Sequence, residues 1–120
     1  MSKFRFEDFE VWELAVEIGD LLLDIADDME KRRLFAFADQ LRRAALSVSN
    51  NIAEGSGSDS GADFAHFLNM AKRSAFENAN MLIVFRRRGL VDSEYAEQIL
   101  ELLDQEARKL SNFIKSLSKD

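Results

Sequence analysis

The sequence predicts an all-α protein, an antiparallel up-down-up-down bundle of four helices. Three observations support this prediction. The 120 residues include no proline and only five glycines, apolar residues recur at three-and-four spacing in four long segments, and short polar segments separate them. Short connections make successive helices antiparallel neighbours. At this length we expect a single domain over residues 1–120, which would bury about two thirds of its unfolded surface.

The first helix is predicted over residues 9–29, with Asp8 as its N-cap. Its main apolar stripe is Val11, Leu14/Ala15, Ile18, Leu22, Ile25 and Met29. A second stripe on an adjoining face consists of Phe9, Trp12, Val16 and Leu23. A monomeric bundle needs one stripe per helix, so the second stripe has two interpretations. It is either a further contact surface or the place where Phe4 and Phe6 fold back over Trp12.

Helix two is predicted over residues 33–54, helix three over 61–88 and helix four over 93–118, beginning at Asp92 or Ser93. The segment 27–33 contains neither Gly nor Pro, but an unbroken helix over 9–54 would leave most of its apolar face unburied, so we expect a turn there. Gly55 is expected to end helix two in the left-handed conformation, and Gly89 to cap helix three. Ser60, followed by Asp63, is expected to cap the start of helix three.

Polar residues run beside the apolar face of helix two and continue on helix three. They are Ser47, Asn51, Glu54, Ser74 and Glu77. A solvated face normally carries Lys and Glu, whereas small hydroxyls and an amide indicate a helix packed on more than one side. We expect these residues to form a buried polar seam that fixes the register of the two helices, as a polar residue does in a coiled coil. A ligand pocket is the alternative.

The charge balance argues against a dedicated nucleic-acid binder, because the formal net charge is −6 and the pI is about 4.8. Basic residues are nevertheless clustered, at one end of the predicted bundle and in a middle band. These candidate nucleic-acid contacts are Lys31, Arg32, Arg33, Arg42, Arg43, Lys72, Arg73, Arg86, Arg87 and Arg88. Because many acidic residues lie at the same end, salt bridging is the alternative role.

Composition and motifs favour a non-enzymatic protein without a cofactor. The absence of Cys excludes thiolate chemistry and fits a reducing cytoplasm, and no apolar segment is long enough for a signal core or a membrane span. A metal- or ligand-binding bundle would use Glu54, Asp63, His66 and Glu77. Di-iron bundles require two Glu-x-x-His motifs, however, and this chain has one Asp-x-x-His, so we expect an exposed His66 that binds no metal.

Two stretches resemble a known family. Phe6-Glu7-Asp8-Phe9-Glu10-Val11-Trp12-Glu13-Leu14-Ala15 resembles its opening, and Gln40-Leu41-Arg42-Arg43-Ala44-Ala45 with Ser47 and Asn51-Ile52-Ala53-Glu54-Gly55 resembles its signature. This is the four-helix-bundle family first met as open reading frames within intervening sequences of bacterial 23S ribosomal RNA genes. The resemblance implies a left-handed bundle that assembles as a ring-like homopentamer. Its relatives include the basic accessory protein of diversity-generating retroelements, which binds reverse transcriptase and RNA.

The combined interpretation is an interaction or scaffold protein whose main partner is itself. RNA or a reverse transcriptase is the alternative partner, and no membrane is involved. The extra apolar residues predict the oligomer interface, formed by Phe9, Trp12, Val16 and Leu23 on helix one and by Phe76 and Val84 on helix three. Because the two surfaces differ in composition, we expect a head-to-tail contact, and such contacts can close into rings.

Overall fold

The computed structural model describes residues 2–118, in which helices are the only regular secondary structure. A short 3₁₀ helix (Arg5–Asp8) precedes α1 (Glu10–Lys31), α2 (Phe35–Ser56), α3 (Gly61–Arg87) and α4 (Ser93–Leu117). The predicted all-α fold with four main helices is therefore confirmed, and the predicted ends of α3 and α4 agree to within one residue. The left-handed turn of the bundle stays a prediction.

Contacts between helices show that neighbours run antiparallel. Arg86 pairs with Glu97 near one end of α3 and α4, and the Phe64 ring lies 5.3 Å from the Phe113 ring near the other. Likewise Phe37 and Phe85 meet near one end of α2 and α3. Each helix packs against two others, so that α1 and α3 occupy opposite corners, as do α2 and α4. The bundle measures 49 × 25 × 23 Å.

Side chains from all four helices form one hydrophobic core. The buried residues of α1 follow the predicted stripe, with Leu14 half-buried beside it. Among the largest fully buried apolar side chains are Leu22, Leu41, Ile52, Leu68, Leu82, Ile99 and Leu110. Truncating one such leucine to alanine costs about 2–5 kcal/mol, because the cavity left behind collapses only partly.

The start of α1 differs from the prediction, because Asp8 is not its N-cap. Phe9 holds that position, and Asp8 is the last residue of the 3₁₀ helix. The amide of Glu7 donates to the carbonyl of Phe4, which starts this tighter turn before α1 can begin. Arg5 then anchors the segment, since its Nε donates to the Ser56 carbonyl at 2.8 Å and its guanidinium lies over the Phe64 ring.

A turn between α1 and α2 is confirmed, but α2 begins at Phe35 rather than at residue 33. Arg33 adopts a left-handed φ of 64°. The amide of Leu34 donates to the Met29 carbonyl and that of Arg33 to the Glu30 carbonyl, which is the bonding pattern of a Schellman motif. The same pattern ends α3 around Gly89, whose φ is 72°, so the Gly89 cap is confirmed.

Gly55 does not end α2 as predicted. The helix continues to Ser56, and Gly55 is buried inside it. A Cβ atom at this position would lie 2.4 Å from the Cβ of Phe67 on α3. Glycine is therefore required here for the close approach of two helices and not for a left-handed cap.

Side-chain caps begin the last two helices. The Ser60 hydroxyl accepts a hydrogen bond from the Asp63 amide at 3.2 Å, as predicted. The Asp92 carboxylate accepts from the Tyr95 amide at 3.0 Å, which makes Asp92 the N-cap of α4 and Ser93 its first residue. Among the described residues, no helix is long and apolar enough to cross a membrane.

Candidate functional site

Large apolar side chains are exposed on α2, at Phe35 and Leu46, and on α3. Phe76 is 63% exposed, and Ile83 and Val84 are 39% and 41% exposed. Phe76 and Ile83 border a shallow groove between α3 and α4. Its other apolar lining residues are Ala75, Ala79, Leu100, Leu103 and Ala107. This groove, which we call the α3/α4 face, includes Phe76 of the predicted interface.

The second predicted surface lies on α1, where Trp12, Val16 and Leu23 are each half-buried. The ring of Phe6 packs 5.3 Å from that of Trp12, so the fold-back of the N-terminal aromatic residues takes place. It leaves Trp12 and Val16 lining an open groove that also contains Glu13, Glu17 and Asp20. We call this surface the α1 face.

Phe9 is placed differently from the rest of the predicted interface. Its ring lies 5.9 Å from the Phe64 ring and 5.3 Å from the Phe113 ring, and the Phe113 ring is oriented edge-on. These three rings close one end of the core. Sequence spacing assigned Phe9 to the outer stripe, but the irregular start of α1 turns it inward.

The predicted polar seam is an open groove and not a buried layer. Ser47 donates to the Ala44 carbonyl and Asn51 to the Ser47 carbonyl, so both side chains bond within their own helix. Asn51, Ser74 and Glu77 line a shallow depression between α2 and α3, whereas Glu54 is exposed outside it. The expected burial is therefore wrong for the single chain, and the register role stays a prediction.

Ion pairs engage three of the ten candidate nucleic-acid contacts. Arg42 binds Asp27 and Glu30, Arg32 pairs with Asp28 and donates to the Leu90 carbonyl, and Arg86 pairs with Glu97. Within residues 2–118 the remaining seven make no salt bridge. They are Lys31, Arg33, Arg43, Lys72, Arg73, Arg87 and Arg88.

The residues of the metal hypothesis do not converge in the described part of the chain. His66 is exposed, and its ring lies 5.9 Å from the Phe67 ring. Residues 2–118 contain no group of three or more His, Asp or Glu residues placed to hold a metal ion. Glu54, Asp63 and Glu77 are exposed at separate positions.

Sequence reasoning missed the two buried polar side chains at the centre of the bundle. Asn78 on α3 is 1% exposed and Glu106 on α4 is 0% exposed. Neither residue was assigned a role from the sequence. The signal was available, because Glu106 continues the three-and-four spacing of Ile99, Leu103 and Leu110.

Comparison with known families decides the classification. The model of the family described as 23S rRNA-intervening sequence protein matches residues 7–112. The chain belongs to this family. The match includes the second stretch and all of the first except Phe6, and it extends from the 3₁₀ helix into the last turns of α4.

The chain is also similar in fold to a solved structure. This structure is of a protein of unknown function from the S23 ribosomal protein family of Bacteroides thetaiotaomicron. The TM-score is 0.82 at 24% sequence identity, and the alignment covers 88% of this chain and 98% of that chain. No curated protein matches this chain. The family and this neighbour therefore establish the fold and membership but no activity.

Proposed function

We propose that this protein is a non-enzymatic scaffold that assembles into a ring of identical subunits in the cytoplasm. The observation that carries the proposal is the exposure of Phe76, Ile83 and Val84 on one helix. Soluble monomers rarely leave large apolar side chains clustered in this way, and such clusters mark interaction sites. The partner is a second copy of this chain.

The two faces suit a head-to-tail contact. The α1 face and Phe76 of the α3/α4 face lie on helices at opposite corners of the bundle, so one subunit can contact two neighbours at once. The long side of the bundle, 49 × 25 Å, exceeds the roughly 800 Å² that a standard interface buries on each partner. A head-to-tail contact repeated by rotation closes into a ring. The family resemblance supplies the number of subunits, five.

Charge substitutions on each face test the proposal. In Phe76→Glu or Trp12→Glu, an unpaired charge would be buried in the interface, so light scattering should report smaller species than for the unmodified protein. Phe35→Glu is the matched control, because Phe35 is also exposed (53%) but lies on neither face. Its assembly should match that of the unmodified protein.

Mixing the two face variants tests the head-to-tail arrangement itself. Each variant retains one intact face, so Phe76→Glu mixed with Trp12→Glu should form a two-subunit species that neither forms alone. If both variants and the Phe35→Glu control assemble like the unmodified protein, the two faces are not the interface. If the variants fail to assemble and mixing does not restore a two-subunit species, only the head-to-tail arrangement is contradicted, and the two faces remain part of an interface.

RNA binding is the second candidate, favoured by the seven basic side chains that lie outside ion pairs. A ring would repeat this set on every subunit, and repeated weak sites gain affinity through avidity. Against the net charge of −6, we expect no tight binding of generic RNA at physiological salt. A shift assay with Arg87→Glu/Arg88→Glu measures it, and sub-micromolar binding that this variant abolishes would rank RNA binding first.

A further inference from the structure

Two polar side chains lie in the core without partners. Asn78 stands between the buried residues Ala75 and Leu82 on α3, and Glu106 between Leu103 and Leu110 on α4. Within residues 2–118, neither the amide group of Asn78 nor the carboxyl group of Glu106 forms a hydrogen bond. More than nine in ten buried polar groups in proteins are paired, so each exception requires an explanation.

Two contacts between α3 and α4 place the two residues within two helical turns of each other along the bundle. The Phe64–Phe113 contact puts residue 99 opposite Asn78, and the Arg86–Glu97 contact puts residue 105 there. Arg86 and Glu97 are in contact at 2.8 Å. Asn78 lies eight residues before Arg86, and Glu106 lies nine residues after Glu97. Helical side chains tilt toward the N-terminus of their own helix. Side chains on antiparallel helices therefore lean in opposite directions along the bundle, and here those of Asn78 and Glu106 each lean toward the other's turn.

Few charged groups are available to stabilise a carboxylate at this position. Burial raises the pKa of Glu106 to about 8, the nearby Lys109 opposes the shift and Glu10 of α1 adds to it. Lys109 is itself paired with Glu10 at the rim. The buried residues of α1, α2 and α3 include no titratable side chain. The buried polar side chains of these three helices are those of Ser49, Ser56 and Asn78.

We infer that Glu106 and Asn78 form a proton-binding site in the core, in which the folded protein holds Glu106 as the neutral carboxylic acid. A neutral carboxyl group can donate its O–H to the amide oxygen and accept from the amide N–H, so both residues can be satisfied at once. Neither bond is present in the conformation described, so closing the pair requires a side-chain rotation. This site goes beyond the proposed function and does not depend on assembly.

Proton binding makes the stability of the fold depend on pH in a defined window. Below pH 4.5, the ordinary value, both the folded and the unfolded chain hold the proton. Between 4.5 and about 8 only the folded chain keeps it, so this group raises the unfolding equilibrium constant tenfold per pH unit. Over this window, 8 − 4.5, the increase is about three thousandfold. Above pH 8 both the folded and the unfolded chain have lost the proton, so the unfolding constant no longer rises with pH.

Glu106→Gln tests the proton directly, because glutamine has nearly the shape of the neutral acid and never ionises. At pH 5 the unfolding constants of the variant and the unmodified protein, from urea titrations at equal protein concentration, should agree within a few-fold. At pH 8 the variant should unfold at least a hundredfold less readily. Glu77→Gln, on the exposed side of α3, should show no such pH-dependent difference. A ratio for Glu106→Gln that stays constant from pH 5 to 8 would overturn the inference.

Two further measurements make the assignment specific. With ¹³C-labelled glutamate, one carboxyl resonance should keep the shift of the neutral acid at pH 7 and disappear in Glu106→Gln; its absence from the unmodified protein would also overturn the inference. A double-mutant cycle between Asn78→Leu and Glu106→Leu at pH 6 tests the pair. We expect non-additive changes in the unfolding constant, with Asn69→Leu as the exposed control on α3. Additive changes would remove Asn78 from the site.

Discussion

Glu77 and Asn78 are neighbours on α3, yet they lie in opposite environments. Glu77 borders the shallow groove between α2 and α3, together with Asn51 and Ser74, whereas Asn78 lies in the core, as does Glu106. The polar groove is open to solvent, and Asn51 bonds within its own helix. The inner pair is buried and, in the conformation described, unbonded. The position of a polar residue around the helix, rather than its type, determines how strongly its substitution changes the free energy of unfolding.

The largest effect is expected from introducing a positive charge on the inner side. Glu106→Lys should lower the free energy of unfolding by about 3 kcal/mol or more, because an uncompensated charge in a core costs several kcal/mol. Glu77→Lys should stay within about 0.5 kcal/mol, as exposed substitutions usually do. Urea unfolding at pH 7 measures both. Equal losses would show that the two sides do not differ as described.

Two glycines near the end of α2 give the same comparison between a buried and an exposed position. Gly55→Ala should cost about 1–3 kcal/mol, because the new methyl group would lie 2.4 Å from the Phe67 Cβ and overpack the contact with α3. Gly57 has a φ of −80°, and a Cβ there would make one ordinary contact, 3.4 Å from the Glu54 carbonyl oxygen, so Gly57→Ala should be neutral or slightly stabilising. Thermal unfolding of the two variants separates them. A Gly55→Ala variant as stable as Gly57→Ala would contradict close packing at residue 55.

Substitutions in the two Schellman motifs should change the free energy of unfolding by about 1 kcal/mol, in opposite directions. Arg33 adopts a left-handed φ of 64° with a side chain, and Gly89 adopts 72° without one. Arg33→Gly should raise the free energy of unfolding and Gly89→Ala should lower it, since the left-handed conformation costs a residue with a Cβ roughly 1 kcal/mol. Denaturant titration gives both signs. Two changes of the same sign would rule out a conformational origin.

The smallest stability effect is expected in the polar groove. The Asn51 amide is half-buried and bonds within its own helix, so Asn51→Leu should change the free energy of unfolding by less than about 1 kcal/mol in either direction. If the groove sets helix register or contributes to subunit contacts, the variant keeps its helical circular dichroism but changes in oligomer mass or NMR line width. Unchanged mass and sharp spectra would leave the groove as an ordinary solvated surface.

Much of the fold could be predicted from the sequence, because three-and-four spacing directly reports a buried helix face. Ser60, Asp92 and Gly89 were equally predictable, since each cap follows from the side chain at that position. Arg33 was not, because it occupies a backbone conformation that its residue type disfavours. Gly55 was misinterpreted, because the sequence does not distinguish a glycine that allows close helix packing from a glycine that ends a helix.

The candidate surfaces were predicted less completely. Phe76 and Val84 were predicted as extra apolar residues of an interface, and both are exposed on α3. Phe9 does not follow its spacing, because the 3₁₀ helix shifts the start of α1. Glu106 was overlooked for another reason, because a carboxylate is ordinarily assigned to the surface. Its burial depends on how the neighbouring helices pack against α4, and the apolar pattern of α4 alone does not contain that information.

The measurement that tests the central claim most directly is the mass of the unmodified protein in solution. We expect static light scattering at low micromolar concentration to give a defined multiple of the 13.7 kDa chain, five subunits if the ring follows the family resemblance. This mass should persist on tenfold dilution, because the exposed apolar residues of the α3/α4 face would then be covered by a neighbouring subunit. A well-folded species of 13.7 kDa would contradict the account, since Phe76 and Ile83 would then be exposed to solvent in the functional protein.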